Sequence, residues 1–315
     1  MKSLIPVGWQ KKTIGALAIG FSTMVLWLLI RRLFFGVDLT DESFYSALSK
    51  SFAEGRHPFI DELLIVQSFA VLLIPITKIF LYFSANGEGI IVFFRLLYFF
   101  TLAINCIFAF KFLRSKMLAP EALFTCMILL SFWPFSIPSM SYNTMGALFL
   151  NFGLLLLLAQ EEKRKLDWRL SVSLLFFVLA IFCYPTFLLP VLITIGVFMA
   201  SVRNYQVSKT SIVSALAVGG LSFIIAGYLI FFYIGLPRLH EMYEYLKSFG
   251  VQGGGVSKLW KISTQIADNS VFIAMIVGGI WTTLFVAKRR IYAGFAICLF
   301  LGERKIFCVN QQFFV

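Results

Sequence analysis

Long apolar runs separated by short polar interruptions dominate the chain. A membrane-spanning helix needs about 20 apolar residues, each rising about 1.5 Å. On that template the runs predict spans at roughly 13–35, 63–83, 90–113, 118–137, 144–159, 170–184, 186–201, 211–234, 269–287 and 291–302. The expected fold is therefore all-α: a polytopic helical membrane protein of about nine to ten spans forming one transmembrane domain over 1–315. The runs are continuous rather than alternating, which argues against a β-barrel. Tyr184-Pro185-Thr186 divides the stretch 170–201 into two short helices meeting at a break. Two polar segments stand out, a first loop at 36–62 and a second at 235–268. Each carries a helical stripe. In the first, Thr40 is a good N-cap, Asp41 and Glu42 fall in the first turn, Phe44, Leu48 and Phe52 recur at i, i+4 and i+8, and Gly55 is a natural stop. In the second, Leu239, Met242 and Leu246 recur at helical spacing. Both read as amphipathic helices at a membrane surface.

Composition supports this picture. The chain is 60% hydrophobic and 13% charged, with a mean hydropathy of +0.89, against about 25% charged residues in soluble domains. Its net charge of +12 comes from Lys and Arg at the ends of apolar runs, as the positive-inside rule requires, so no nucleic-acid partner is expected. Lys2, Lys11 and Lys12 precede the first span and put the N-terminus in the cytoplasm. The first run is too long for a signal peptide and is expected to remain as an uncleaved span. The first loop is then external. Lys163-Arg164-Lys165, Arg203 with Lys209, and Lys288-Arg289-Arg290 fit cytoplasmic ends, which makes 235–268 external too. Lys111, Arg114 and Lys116 conflict with this order by one crossing, a conflict that points to a mistaken span near Pro75 or between Pro134 and Pro138. The tail 303–315 matches neither a span nor a polar end; it fits equally a short cytoplasmic terminus or a piece of a longer protein. The five cysteines are widely spaced, lack any CxxC, and read as buried small hydrophobes. The two histidines, His57 and His240, form no metal-binding motif with them.

Chemistry concentrates in the first loop. Positions 37–62 hold six of the fifteen acidic residues: Asp38, Asp41, Glu42, Glu54, Asp61 and Glu62. Asp41, Glu42 and Tyr45 share the first turn of the predicted helix, and the loop then runs through Arg56, His57 and Pro58 to Asp61-Glu62. A carboxylate at the water–lipid boundary suits a general base, or one ligand of a divalent cation. A polar insertion at 138–144 brings Tyr142 and Asn143, side chains able to hydrogen-bond a sugar, although a Pro/Ser/Asn turn between spans needs no function. Arg95, five residues into a span, is expected to snorkel towards the interface.

Asp41-Glu42-Ser43-Phe44-Tyr45, opening a loop after the first span, resembles the GT-C superfamily of membrane glycosyltransferases, which includes protein O-mannosyltransferases and lipid A aminoarabinose transferases. The resemblance extends through Gly55-Arg56-His57-Pro58 to Asp61-Glu62, and to Asn86-Gly87-Glu88-Gly89 with Arg95. It implies an external loop with juxtamembrane helices, a sugar donor carried on a polyprenyl phosphate, and a catalytic carboxylate, for which Asp41 and Glu42 are the matching residues. Asp41 would also be the position for a divalent metal ion. The implied donor and acceptor contacts are Tyr45, Arg56, His57, Asp61, Glu62, Tyr142, Asn143, Arg238 and His240, with Lys258 a further cation for the leaving phosphate. The acceptor would be a glycan, lipid or protein, and the setting a bacterial inner membrane with the site facing the periplasm or exterior among membrane lipids. The chain departs from the pattern where no proline pair follows Glu62 and where Tyr184 stands in place of a lysine. A transporter or flippase of lipid-linked saccharides is the competing expectation; it would show paired charges deep in spans and inverted repeats, and neither is visible in the sequence. A non-catalytic membrane subunit is the other.

Overall fold

A computed structural model describes residues 7–36, 41–64, 66–84, 86–131, 133–134, 137–163, 165–201, 206–207 and 209–248. The protein is all-helical over these residues; two-residue extended segments at Lys165–Leu166 and Gln206–Val207 are the exceptions. Among the described residues, four helical stretches are long and apolar enough to cross a membrane: Gly15–Phe34, Ile90–Leu113, Tyr142–Gln160 and Ser211–Ile234. Shorter apolar helices occupy Ser68–Phe83, Ala119–Ser131, Trp168–Cys183 and Pro185–Met199. The regions suspected from the charge order, around Pro75 and between Pro134 and Pro138, thus coincide with or adjoin two of these shorter helices. The expected spans at 269–287 and 291–302, the Gly253-Gly254-Gly255 turn and the tail lie outside the described residues. The long helices expose Leu17, Ile19, Leu28, Leu216, Phe223 and Ile224 over half or more of their surface. Such faces are stable against lipid rather than water, and the protein is a helical membrane protein.

Two compact units can be recognised, one of residues 1–56 and 66–185, the other of 57–65 and 186–315. The first unit contains α1 (Val7–Phe34), α2 (Asp41–Ala53), α3 (Ser68–Phe83), α4 (Ile90–Leu113), α5 (Ala119–Ser131), α6 (Tyr142–Lys163) and α7 (Trp168–Cys183). Its most extensive helix pair is α6 with α7. Gly153 permits their close approach, since a Cβ there would lie 2.5 Å from the Phe177 ring. Ser173 Oγ donates to the Gly153 carbonyl at 2.8 Å. This is the small-residue, side-chain-hydroxyl packing that holds helices together where lipid removes the hydrophobic drive. Asp167 caps α7 by accepting from the Arg169 N–H, and Gln160 bonds both the backbone and the carboxylate of Asp167, closing the turn. Elsewhere α1 packs on α5 through Phe21 and Phe124, their rings 4.9 Å apart, and α2 packs on α3 and α4.

The amphipathic helix expected after Thr40 is α2, but its buried side is rotated from the expected stripe. Leu48 and Phe52 are buried, whereas Phe44 is 44% exposed, and Glu42, Tyr45, Ser46 and Ser49 are buried instead. The Thr40 cap falls outside the described residues. The second unit contains α8 (Leu188–Ser201), α9 (Lys209–Tyr228), continued by a π-helical stretch Leu229–Ile234, and α10 (Leu236–Ser248). α10 is the second expected amphipathic helix, with Met242 buried and Tyr243 exposed.

Candidate functional site

The first turn of α2 places three predicted residues in three different environments. Asp41 is exposed. Glu42 is completely buried and holds Arg95 of α4 through two bonds, Nε to Oε1 at 2.6 Å and Nη2 to Oε2 at 2.5 Å. Arg95 does not snorkel, as its position in the sequence suggested, and is only 3% exposed. Its Nη1 donates to the Leu33 carbonyl at 3.1 Å and its Nη2 to the Gly36 carbonyl at 2.6 Å, with longer contacts to the carbonyls of Arg32 and Phe35. These carbonyls lie at the end of α1, where no helical N–H remains to meet them. One guanidinium therefore caps α1, binds the first turn of α2 and belongs to α4. A buried charge is tolerated on such terms, with an opposite charge and full hydrogen bonding.

Tyr45 is buried among aromatic rings. Its ring meets Phe69 of α3 at 5.4 Å and Tyr142 of α6 at 5.4 Å, both edge to face, and Tyr142 meets Tyr184 at 4.8 Å. Edge-to-face pairs at this spacing add to what burial alone gives. The Tyr45 phenol is pushed well above its ordinary pKa, first by burial, then by the neighbouring Tyr142 and the charge of Asp41. Tyr45 thus keeps its proton and is hydrogen-bonded to Tyr142, and the influence of Asp41 puts that carboxylate within electrostatic reach of the tyrosine group.

Tyr142 owes its position to a cap. Ser141 and Thr144 bond reciprocally: the Ser141 N–H donates to Thr144 Oγ1 at 2.8 Å, and the Thr144 N–H donates to Ser141 Oγ at 3.2 Å. This is a capping box with threonine in the place of the usual acid. Thr144 Oγ1 also donates to the Ser139 carbonyl at 2.8 Å. Asn143 follows Tyr142 in the first turn and is 3% exposed. Among the described residues, Asn143 Oδ1, Ser139 Oγ and Ser46 Oγ are buried without a hydrogen-bond partner. Buried polar atoms are rarely left so unless a water or ligand meets them.

In the first unit, then, Asp41, Glu42, Tyr45 and Tyr142 gather at the start of α2 and α6, and Asn143 sits beside Tyr142; Arg56 is exposed just beyond the end of α2. In the second unit the turn 57–61 closes on itself. The His57 N–H donates to Asp61 Oδ2 at 2.6 Å, and the Asp61 N–H returns to the His57 carbonyl at 3.0 Å. Arg238 of α10 donates to the Ile60 carbonyl and to Glu241 Oε2, the latter at 2.6 Å. Phe59, at a φ of 64°, is the buried residue of this turn. Arg238, expected to meet a phosphate, is thus engaged with the loop backbone and Glu241. His57, Asp61 and His240 are exposed and Glu62 is half-buried. Lys258 lies outside the described residues.

Sequence reasoning missed Phe69, the place of Tyr184 in the aromatic group, and the partner of Arg95. Only Arg95 carried a signal, as a charge inside an apolar run. Among the described residues no group of three His, Cys, Asp or Glu side chains is placed to hold a metal ion, and both Glu42 oxygens are held by Arg95. The described donor set therefore does not fit a metal centre at Asp41. No family description, curated protein or solved structure matches the chain.

Proposed function

We propose that the protein is a glycosyltransferase of GT-C type that moves a sugar from a polyprenyl-phosphate donor to an acceptor hydroxyl, with Asp41 as the general base. In this reading it is a multi-pass protein of a bacterial inner membrane, and Asp41 faces the periplasm. The observation that carries the reading is the first turn of α2. An exposed carboxylate comes in the chain shortly after a membrane-length helix, is fixed by the buried Glu42–Arg95 pair one residue away, and stands beside a group of three tyrosines. Tyrosine rings and hydroxyls suit the mixed apolar and hydroxylated faces of a sugar.

Asp41 takes the proton of the acceptor hydroxyl as its oxygen attacks the anomeric carbon; the bond to the phosphate oxygen breaks, and the polyprenyl phosphate leaves with the electron pair. Tyr142 and Asn143 orient the sugar. Glu42 acts through position, because its oxygens are occupied by Arg95 and it holds the turn that presents Asp41.

Positioned proton transfer contributes about 10²- to 10⁴-fold to rate. Asp41→Asn, inserted normally in membranes, is expected to lower sugar transfer from membrane lipids to acceptor by that factor. Transfer at the unaltered rate would refute the assignment of Asp41.

A further inference from the structure

Cys106 of α4 and Cys126 of α5 face one another across the seam between their helices. The Cys106 Sγ–H donates to the Cys126 carbonyl at 3.5 Å, and the Cys126 Sγ–H donates to the Cys106 carbonyl at 3.5 Å. Each thiol thus reaches the backbone of the other cysteine. The hairpin of the two helices accounts for the pairing. Cys106 stands seven residues before Leu113, the last of α4, and Cys126 seven after Ala119, the first of α5, so the turn between them brings the two level. Small residues flank the pair: Ala109, in the next turn of α4, and Ala122, in the preceding turn of α5, are both buried, and such residues let helices approach closely in lipid. Both cysteines are buried and free. Around them Ile104, Ile107 and Phe108 of α4, and Phe124 and Ile128 of α5, are about half exposed, as a lipid-facing layer is. At about 1.5 Å per residue the pair lies about 10 Å along the helices from the turn that holds Arg114 and Lys116. Basic side chains of that kind mark the membrane surface, so the thiols sit at acyl-chain depth.

We infer that Cys106 and Cys126 are a disulfide-forming pair whose oxidant is a lipid-soluble quinone. The two S–H bonds break and one S–S bond forms between the helices. Two electrons and two protons pass to the quinone, which becomes a hydroquinone. Cysteines that act as small apolar side chains fill space one at a time, whereas these two turn towards each other. The hydrogens that leave serve only weak S–H donors, so the bond costs the helices little hydrogen bonding. Burial slows a thiol as a nucleophile and shields it from oxidants in water, and an oxidant dissolved in the bilayer is the class that meets the pair at its depth. The bond ties α5 to the helix that carries Arg95. None of this depends on the glycosyltransferase reading.

The test uses the full chain in its membrane, reduced, washed free of reductant and exposed separately to a fully substituted benzoquinone and to diamide. Remaining thiols are blocked with an alkylating reagent in denaturant, and tryptic peptides are mapped by mass spectrometry. Cleavage after Arg95, Lys111, Lys116 and Lys163 puts Cys106 in peptide 96–111 and Cys126 in peptide 117–163. The two are expected as one linked species, two hydrogens lighter than its parts, from a chain that still migrates as a monomer. Reductant should release both peptides. Cys106→Ser and Cys126→Ser, each a change of one atom, should abolish the linked species and leave the other cysteine open to alkylation. Recovery of both peptides fully alkylated after both oxidants overturns the proposal. So does linkage found only between two copies of the chain, or only to Cys183, Cys298 or Cys308. Sugar transfer by Asp41→Asn bears on none of these outcomes, so this pair and the catalytic assignment stand or fall separately.

Discussion

At the scale of single residues, Tyr45 shows how position in the fold redirects a side chain. From the sequence it is a polar ligand candidate four residues after Asp41. In the structure it is 6% exposed and wedged between Phe69 and Tyr142, so its hydroxyl serves the tyrosine group from inside. Burial, then Tyr142 and Asp41, raise its pKa above the ordinary tyrosine value of about 10. Because the folded value is the higher one, the stability linked to Tyr45 is fully present below pH 10. It declines as the pH climbs beyond that, where the unfolded chain gives up a proton that the folded chain retains. The slope is about 1.4 kcal/mol per pH unit for one such group. Denaturation of the detergent-solubilised chain between pH 8 and 11 should therefore show a steeper alkaline loss than in Tyr45→Phe. Equal slopes would mean that Tyr45 ionises as freely as an exposed phenol.

At the scale of elements, the hydropathy pattern carried most of what is found, and local chemistry the rest. The expected span 90–113 is α4 to the residue, because Gly89, with φ of 79°, opens it and the polar Arg114-Ser115-Lys116 ends it. α2 and α10 were legible as helices from their i, i+4 spacing. The buried face of α2 was not: Phe44 fits the stripe yet is exposed, because the face is set by Glu42 reaching a residue fifty-three positions away. Nothing in a local window encodes such a partner. The insertion at 138–144 was legible as a turn, but its Ser141–Thr144 box was hidden by the absence of the usual acid. That box is buried, so Ser141→Ala would strand the Thr144 N–H, at a cost of about 1 to 2 kcal/mol. Ser141→Thr should retain most of the stability, as both hydroxyls cap. A thermal melt of the two variants decides this, and equal melting of Ser141→Ala and the unaltered chain would show the α6 start to be held by packing alone.

At the scale of the whole molecule, the Glu42–Arg95 pair bears on how the first unit holds together. Lipid tails are as apolar as leucine, so burying apolar faces between helices gains little, and close packing with polar contacts has to supply the specificity. Ser173 with Gly153 does this for α6 and α7. Arg95 does it for three elements at once, joining the end of α1 and the first turn of α2 to α4. Removing one partner of a buried pair leaves the other charge uncompensated and costs about 3–5 kcal/mol, whereas replacing both by apolar residues is often close to neutral. Glu42→Leu and Arg95→Met are each expected to lower the melting temperature sharply in mild detergent. The double substitution should regain most of that loss, though not all of it, because the Leu33 and Gly36 carbonyls would still lack their donor. This incomplete recovery separates the two roles of Arg95. Full recovery would reduce it to a counter-ion for Glu42. No recovery would make capping of α1 the main contribution. Single variants that melt with the unaltered chain would mean that the three elements keep their arrangement without the pair, and the fixed presentation of Asp41 would need another cause.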